Sequence, residues 1–273
     1  MERLQRYYRN RGFVDAALSF LDLLFVSIVR DFRETTGNSH FGILAALSRP
    51  ILLFTMFYVM FELIGLRTMV VRGDFFIFMM TGIFLFLSHI LAVRRLRSTS
   101  HSTSGMIYNQ KTSALLSILT SALTELYILT LSLFLIAGTG YLIQGELDVH
   151  RPLGVLYGFV LAWASGLAVG MMFMMAEPYA PGLVNRLFMF YRRAQLFTSG
   201  KMFLANSIPL QILPFFAWNP LFHLIDQARG AAFVNYFPKH TSWEYPIYLS
   251  LTLLAIGLIG EFAYRVNQNR GLS

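Results

Sequence analysis

Residues 215–236 read F-F-A-W-N-P-L-F-H-L-I-D-Q-A-R-G-A-A-F-V-N-Y. The stretch lies between two apolar segments, yet it is too polar and too broken to span a bilayer. Asn219-Pro220 marks a helix start: Asn caps free N–H groups, and Pro is tolerated at the first helical position. From there Leu221, Leu224, Ile225, Ala228 and Ala232 fall on one face, with His223, Asp226, Gln227 and Gly230 opposite and Arg229 flanking them. Asp226 and Arg229 are three apart and can pair on the helix surface. Gly230 loosens the helix close to its end. Pro209, Pro214, Phe215, Phe216 and Trp218 precede it. Two readings fit: a hairpin that dips into one leaflet, or a surface helix between two spans. Either way the helix is shorter than the ~20 residues a span needs.

Working outward, the chain has 273 residues, 56% hydrophobic and 13% charged, with mean hydropathy +0.56. A typical soluble domain is about 25% charged, so the composition describes an all-α, polytopic membrane protein. The absence of cysteine excludes disulfides and cysteine-ligated metals. The first dozen residues are basic and aromatic, with no short apolar core and small-residue cleavage site after them, so a cleaved signal peptide is not expected. The net charge of +8 serves orientation in the membrane better than nucleic-acid binding.

One transmembrane domain is expected over 1–273. Residues 13–33, with Asp15, Asp22, Arg30, Asp31 and Arg33, suit an amphipathic helix lying in the interface. Spans are expected at 50–66, 75–93, 114–143, 153–175, 183–208 and 245–264. Arg94, Arg95 and Arg97 should stop the second, and 94–113 should form a polar, basic loop. The segment 183–208 is the least apolar of the six, because it carries Arg186, Arg192, Arg193 and Lys201. Residues 209–240 form the hairpin. Lys and Arg concentrate at both termini, at Arg30 and Arg33, around Arg94–Lys111 and at Arg186, which supports a topology with both ends inside. The hairpin then lies on the outer face.

Little in the chain can carry covalent chemistry. Its Gly-Lys pair, Gly200-Lys201, is followed by Met202 and lacks the glycine and hydroxyl residue of a phosphate-binding loop. The six histidines are scattered without ligand spacing, so neither a metal site nor a nucleophilic triad is expected. Charges inside apolar spans are more informative, since each is costly at mid-bilayer. Glu62, Glu125, Arg192 and Arg193 could line a polar conduit; for Glu125, pairing between helices is favoured. Trp218, Tyr236, Trp243 and Tyr245 suit an aromatic belt, with a sugar-stacking platform as the alternative for Trp218. The 13–33 helix and the 94–113 loop are either a docking surface for a soluble partner or a solvated linker.

Taken in order along the chain, these features resemble the permease subunit of a type-2 ABC exporter of the polysaccharide class, and most of all a capsular polysaccharide export permease. The most specific match is Trp218-Asn219-Pro220-Leu221 with His223, then Asp226 and Arg229. Supporting matches are Arg30-Asp31-Phe32-Arg33, Gly42, Pro50, Thr81-Gly82, Asn109, the Leu123–Tyr127 run, Ser199-Gly200 and Ile208-Pro209. Asp226 stands where the family more usually has Glu, and residues 98–105 are unusually rich in Ser and Thr. The resemblance implies a non-enzymatic subunit of the bacterial inner membrane that pairs with a second copy of itself and with two ATP-binding subunits, which hold ATP and Mg. Arg30, Arg33, Arg94, Arg95 and Arg97 would sit against the ATPase. A lipid-linked polysaccharide would pass between the two copies along Arg192 and Arg193. Trp218, Asn219, Pro220, His223, Asp226 and Arg229 would form the outer gate, in reach of periplasmic and outer-membrane export components. An exporter of lipid or drug and a membrane scaffold of envelope assembly are the alternatives.

Overall fold

The computed structural model describes residues 13–37, 40–65, 74–106 and 114–270, which are helix and loop without a strand. The basic N-terminal tail, the connector at 66–73 and the end of the basic loop at 107–113, with Asn109 and Lys111, lie outside the described residues.

Helix α1, Phe13–Thr36, covers the stretch expected at 13–33. Leu18, Leu21 and Phe25 share one exposed stripe, and Gly37, at φ +71°, ends the helix. Helix α2, His40–Leu63, fuses the expected lead-in and first span through Pro50. Helix α3, Phe75–Met106, starts where the Asp74 carboxylate accepts the Phe76 N–H at 2.8 Å. Arg94, Arg95 and Arg97 do not stop it, so 94–106 is helix and not loop. The reason is general: arginine is a good helix former, and its charge ends an apolar stretch without ending a helix.

Helices α4, Ala114–Gln144, and α5, Pro152–Ala176, fall where expected. Helix α6 is Pro181–Thr198, and past Gly200 (φ +72°) the chain leaves regular helix. The short helices α7, Pro214–Ala217, and α8, Pro220–Ala232, precede α9, Glu244–Arg270.

Among the described residues, five helices are long and apolar enough to cross a membrane: Leu44–Leu63, Phe75–Thr99, Leu115–Gln144, Pro152–Ala176 and Glu244–Tyr264. The expected span at 183–208 is not among them. Its helix has 18 residues, ends at Thr198 and carries Arg186, Arg192 and Arg193. About 1.5 Å of rise per residue would bring it to roughly 27 Å, and its charge is what sets it apart from the other five.

Helix α3 is the centre of the bundle, with 89% of its apolar window buried against 17% for α9 at the rim. It runs parallel to α5 at close quarters. A Cβ at Gly166 would meet the His89 carbonyl oxygen at 2.4 Å, and one at Gly170 would meet the Val93 carbonyl oxygen at 3.0 Å. Small residues at such positions let helix backbones approach within a membrane. Helix α9 packs on the other side of α5, where Met171 and Met175 occupy the space over Gly257 and Gly260. Phe54 and Tyr58 of α2 meet Phe75 and Phe76 of α3 ring to ring. Phe32 of α1 meets Tyr127 of α4 edge-on at 5.4 Å.

Candidate functional site

The hairpin is embedded in the bundle. The carbonyls of Ala231 and Ala232 accept the N–H groups of Arg151 (2.8 Å) and His150 (3.0 Å), so the C-terminus of α8 is level with the start of α5. From that rim α8 runs antiparallel to α5. Ala231 fills the space over Gly154, and Ala228 the space over Gly158. Of the thirteen residues of α8, only Gln227 and Gly230 are not buried. A plain surface helix is therefore not what forms.

The expected surface pairing of Asp226 with Arg229 does not form either. Both residues are buried, and each makes its hydrogen bonds elsewhere. Asp226 accepts hydrogen bonds from the Tyr236 hydroxyl and from Thr241 Oγ1 at 2.7 Å. Tyr236 lies beyond the helix, and burial, then the Asp226 carboxylate, push its phenol above the ordinary range, which keeps it the donor. Arg229 donates to the carbonyl oxygens of Gly200 (2.8 Å), Phe203 (2.6 Å) and Lys201 (2.6 Å). Its guanidinium lies 3.9 Å over the Phe78 ring. The physical reason is burial: away from water, each polar group needs hydrogen-bond partners. The broken turn at 200–203 offers carbonyls no helix has paired, and they match the guanidinium fork. Gly82 makes room for this knot, since a Cβ there would stand 2.5 Å from the Lys201 carbonyl oxygen and 2.7 Å from Arg229 Nη2.

At the other end of α8, Asn219 caps the helix as the sequence predicts. It is extended (φ −84°, ψ 116°), and its side-chain oxygen accepts the Leu221 N–H at 3.0 Å. The sequence reading missed what its amide nitrogen does: it donates to Gln195 Oε1 at 2.7 Å and to Thr198 Oγ1 at 2.9 Å. Gln195 Nε2 donates in turn to the Tyr191 hydroxyl at 2.8 Å. That hydroxyl lies 2.6 Å from His89 Nε2, and His89 Nδ1 lies 2.8 Å from Ser165 Oγ. Ser165 gives its proton to the Ala162 carbonyl at 2.8 Å. One set of donors then satisfies every link: His89 Nδ1–H donates to Ser165, and His89 Nε2 accepts from Tyr191. Each of these residues is a polar residue in an apolar or helical segment, which is the signal that could have singled them out.

His223 donates from Nε2 to the Ala217 carbonyl at 2.8 Å and accepts the Ser242 N–H on Nδ1 at 3.2 Å. The Tyr245 hydroxyl donates to the Trp218 carbonyl at 2.6 Å. These bonds staple the start of α8 to the start of α9. Pro220 is buried at the first helical position. The Trp218 ring is 51% exposed, with Phe215 exposed beside it.

The basic residues separate into two groups. Arg95 forms an ion pair with Asp31 and so ties α3 to α1. Arg97 makes a two-pronged contact with Glu177 at 2.8 and 2.9 Å, and lies 4.9 Å over the Phe188 ring, tying α3 to the turn between α5 and α6. Arg94 and Arg33 are exposed, and Arg30 lies 3.6 Å from Glu34. Glu125 lines a cleft of about 180 Å³ with Thr35, Arg94, Arg95 and Ser98. Arg186, Arg192 and Arg193 point outward from α6 and do not join the polar groups around the hairpin. Lys201 is buried: its Nζ donates to the Leu196 carbonyl at 2.9 Å and lies 3.9 Å from the centre of the Phe86 ring. Among the described residues, no three His, Asp or Glu side chains gather as a metal site would require.

No protein-family model matches the chain. Two sequences from Escherichia coli, each named Polysialic acid transport protein KpsM, are 26% identical to it, over 239 and 235 residues. Each match covers 84% of this chain and 88% of the relative. The chain is thus similar to a capsular polysaccharide export permease over most of its length.

Proposed function

We propose that this chain is the permease subunit of an ATP-driven exporter that moves a lipid-linked surface polysaccharide across the bacterial inner membrane. The observation that carries the proposal is the W-N-P-L-x-H hairpin, buried against the rim of α3 and α5, in a chain similar over 84% of its length to KpsM. Helix α8 is about 20 Å long at 1.5 Å per residue, against about 30 Å for a bilayer core. It enters from one rim and turns back, a re-entrant element of the outer leaflet. Backbone that leaves regular helix at membrane depth is tolerated when protein surrounds it, and the knot around Arg229 fits that condition.

In this reading two copies face one another, and the glycan passes between them along the exposed arginines of α6. ATP and Mg bind in a separate pair of ATPase subunits, and the permease makes and breaks no covalent bond. Those subunits dock at the end of the bundle that carries Arg30, Arg33, Arg94, Arg95 and Arg97, opposite the hairpin. Arg94, Arg33 and Arg30 offer charge to the partner directly, whereas Arg95 and Arg97 transmit through Asp31 and Glu177. The hairpins of the two copies close the outer end, within reach of periplasmic and outer-membrane components. Deleting the gene and locating the glycan tests the proposal: the polymer should accumulate inside the inner membrane. Normal surface glycan in the deletion strain would overturn it.

A further inference from the structure

Helix α6 is held by few buried residues and by polar attachments at both ends. Of its 18 residues only Val184, Phe188 and Gln195 are buried, while Leu183, Leu187, Phe190 and Phe197 are exposed. Two polar attachments fix it. Just before its start, Glu177 grips Arg97 of α3. At its last turn, Gln195 and Thr198 hold the amide of Asn219, the residue that caps α8. Between them, Tyr191 leans on His89 of α3, itself anchored to Ser165 of α5.

We infer that Tyr191 and Gln195 are positioning residues that join α6 to the N-terminus of α8, so that the two move as one body against a pivot at His89. Asn219 is the joint, because one side chain both caps α8 and bonds α6. Displacing the end of α6 withdraws Asn219 from Gln195 or withdraws the cap from the Leu221 N–H, and either leaves a buried polar group unpaired. Such a group is expensive in a medium without water, so α8 follows α6. The remaining ties of the α8 start, from His223 to Ser242 and from Tyr245 to Trp218, run to α9 and form the edge against which this body turns. The inference rests on the proposed function only for what the movement accomplishes: it carries a displacement from the Arg97–Glu177 end to the gate.

Backbone hydrogen exchange on the purified full-length chain, wild type against Gln195→Leu and Tyr191→Phe, tests the joint whatever the chain transports. Exchange should speed up by about five-fold or more at 191–198 and at 219–224 together, since losing one buried hydrogen bond changes a local opening equilibrium by roughly that factor. Faster exchange confined to 191–198, with 219–224 unchanged, overturns the inference. Tyr191→Phe removes a single hydroxyl and remains the test if Gln195→Leu does not insert. A second readout, in the assembled complex with its ATPase, is glycan exported per ATP hydrolysed. It should fall in Gln195→Leu while hydrolysis continues, whereas a merely structural defect lowers both together. An unchanged ratio in an assembled variant overturns the coupling role. A wild-type complex that exports no glycan, with the exchange result intact, would instead overturn the proposed function and leave the joint standing.

Discussion

Helices α6 and α8 lie close in the chain, with short α7 between them; both are too polar for an ordinary span, and both carry arginine. Their fates are opposite. Helix α8 is buried on nearly every side, and its Arg229 makes three bonds to backbone carbonyls. Helix α6 keeps Arg186, Arg192 and Arg193 outside the bundle among exposed leucine and phenylalanine. The charge in α8 therefore holds the fold together, while the charge in α6 faces outward, as the proposed passage between two copies requires. A charge inside an apolar region marks function only when the fold has not already consumed it.

The sharpest way to break this contrast is at Arg229. Arg229→Met removes the guanidinium donor from the carbonyls of Gly200, Lys201 and Phe203, and an unsatisfied buried group costs about 1–3 kcal/mol. A loss of several kcal/mol is expected, seen as a sharp fall in the melting temperature of the detergent-purified chain. Arg229→Lys should recover little, because an ammonium lacks the planar fork. Arg192→Ala and Arg193→Ala should stay within about 0.5 kcal/mol of wild type, as exposed substitutions generally do. If Arg192→Ala destabilises as much as Arg229→Met, the two helices do not differ in the way argued.

Next in size is the same division among the basic residues of α3. Arg97→Ala removes the two-pronged guanidinium contact to Glu177, which is 3% exposed, and removing one partner of a buried pair costs about 3–5 kcal/mol. Arg94→Ala removes an exposed side chain and should leave the melting temperature unchanged, while charge reversal at Arg94 lowers recruitment of the ATPase. Charge reversal at Arg95 should damage both, and exchanging the partners, Arg95→Asp with Asp31→Arg, should restore stability. Recruitment that is insensitive to Arg94 would remove this end of the bundle as the docking face.

The closeness of α3 to the turn at 200–203 predicts a smaller loss. Gly82→Ala places a methyl group 2.5 Å from a backbone oxygen, and overpacking of this kind costs about 1–3 kcal/mol. Gly138→Ala, with no atom within 4 Å of the added carbon, should be silent in the same melting experiment.

How far these differences were legible in the sequence follows from what each depends on. Length and hydropathy placed α4 and α5 to within a residue or two, because both helices begin and end where the composition changes. The capping role of Asn219 was legible for a local reason, since Asn-Pro sets its own backbone. The end of α3 was not, because arginine stops burial and leaves the helix intact. The Asp226–Arg229 pair failed for a different reason. Spacing of three gives proximity, but it cannot weigh a carboxylate against three carbonyls supplied by a turn some thirty residues earlier in the chain. The Ser165–His89–Tyr191–Gln195 series is longer in range still. It joins helices whose register is set by glycines at their crossings, and no local pattern encodes that.

Trp218 should show a small effect on stability and a clear effect on function. Its ring is half exposed, and its indole N–H donates to the Phe215 carbonyl at 2.7 Å within its own turn. The bond that fixes its position uses the Trp218 backbone carbonyl, which an alanine retains. Trp218→Ala should therefore cost about 1 kcal/mol or less, insert normally and keep the Tyr245 contact. What it removes is an aromatic face at the mouth of the hairpin, which Phe215 beside it cannot replace from a different turn position. Export of glycan should fall in a strain where the amount of membrane-inserted protein is unchanged. Wild-type export would assign the ring to the aromatic belt at the membrane boundary. Loss of insertion would make it part of the fold, and α8 would then be anchored at its start by the indole as well as by Asn219.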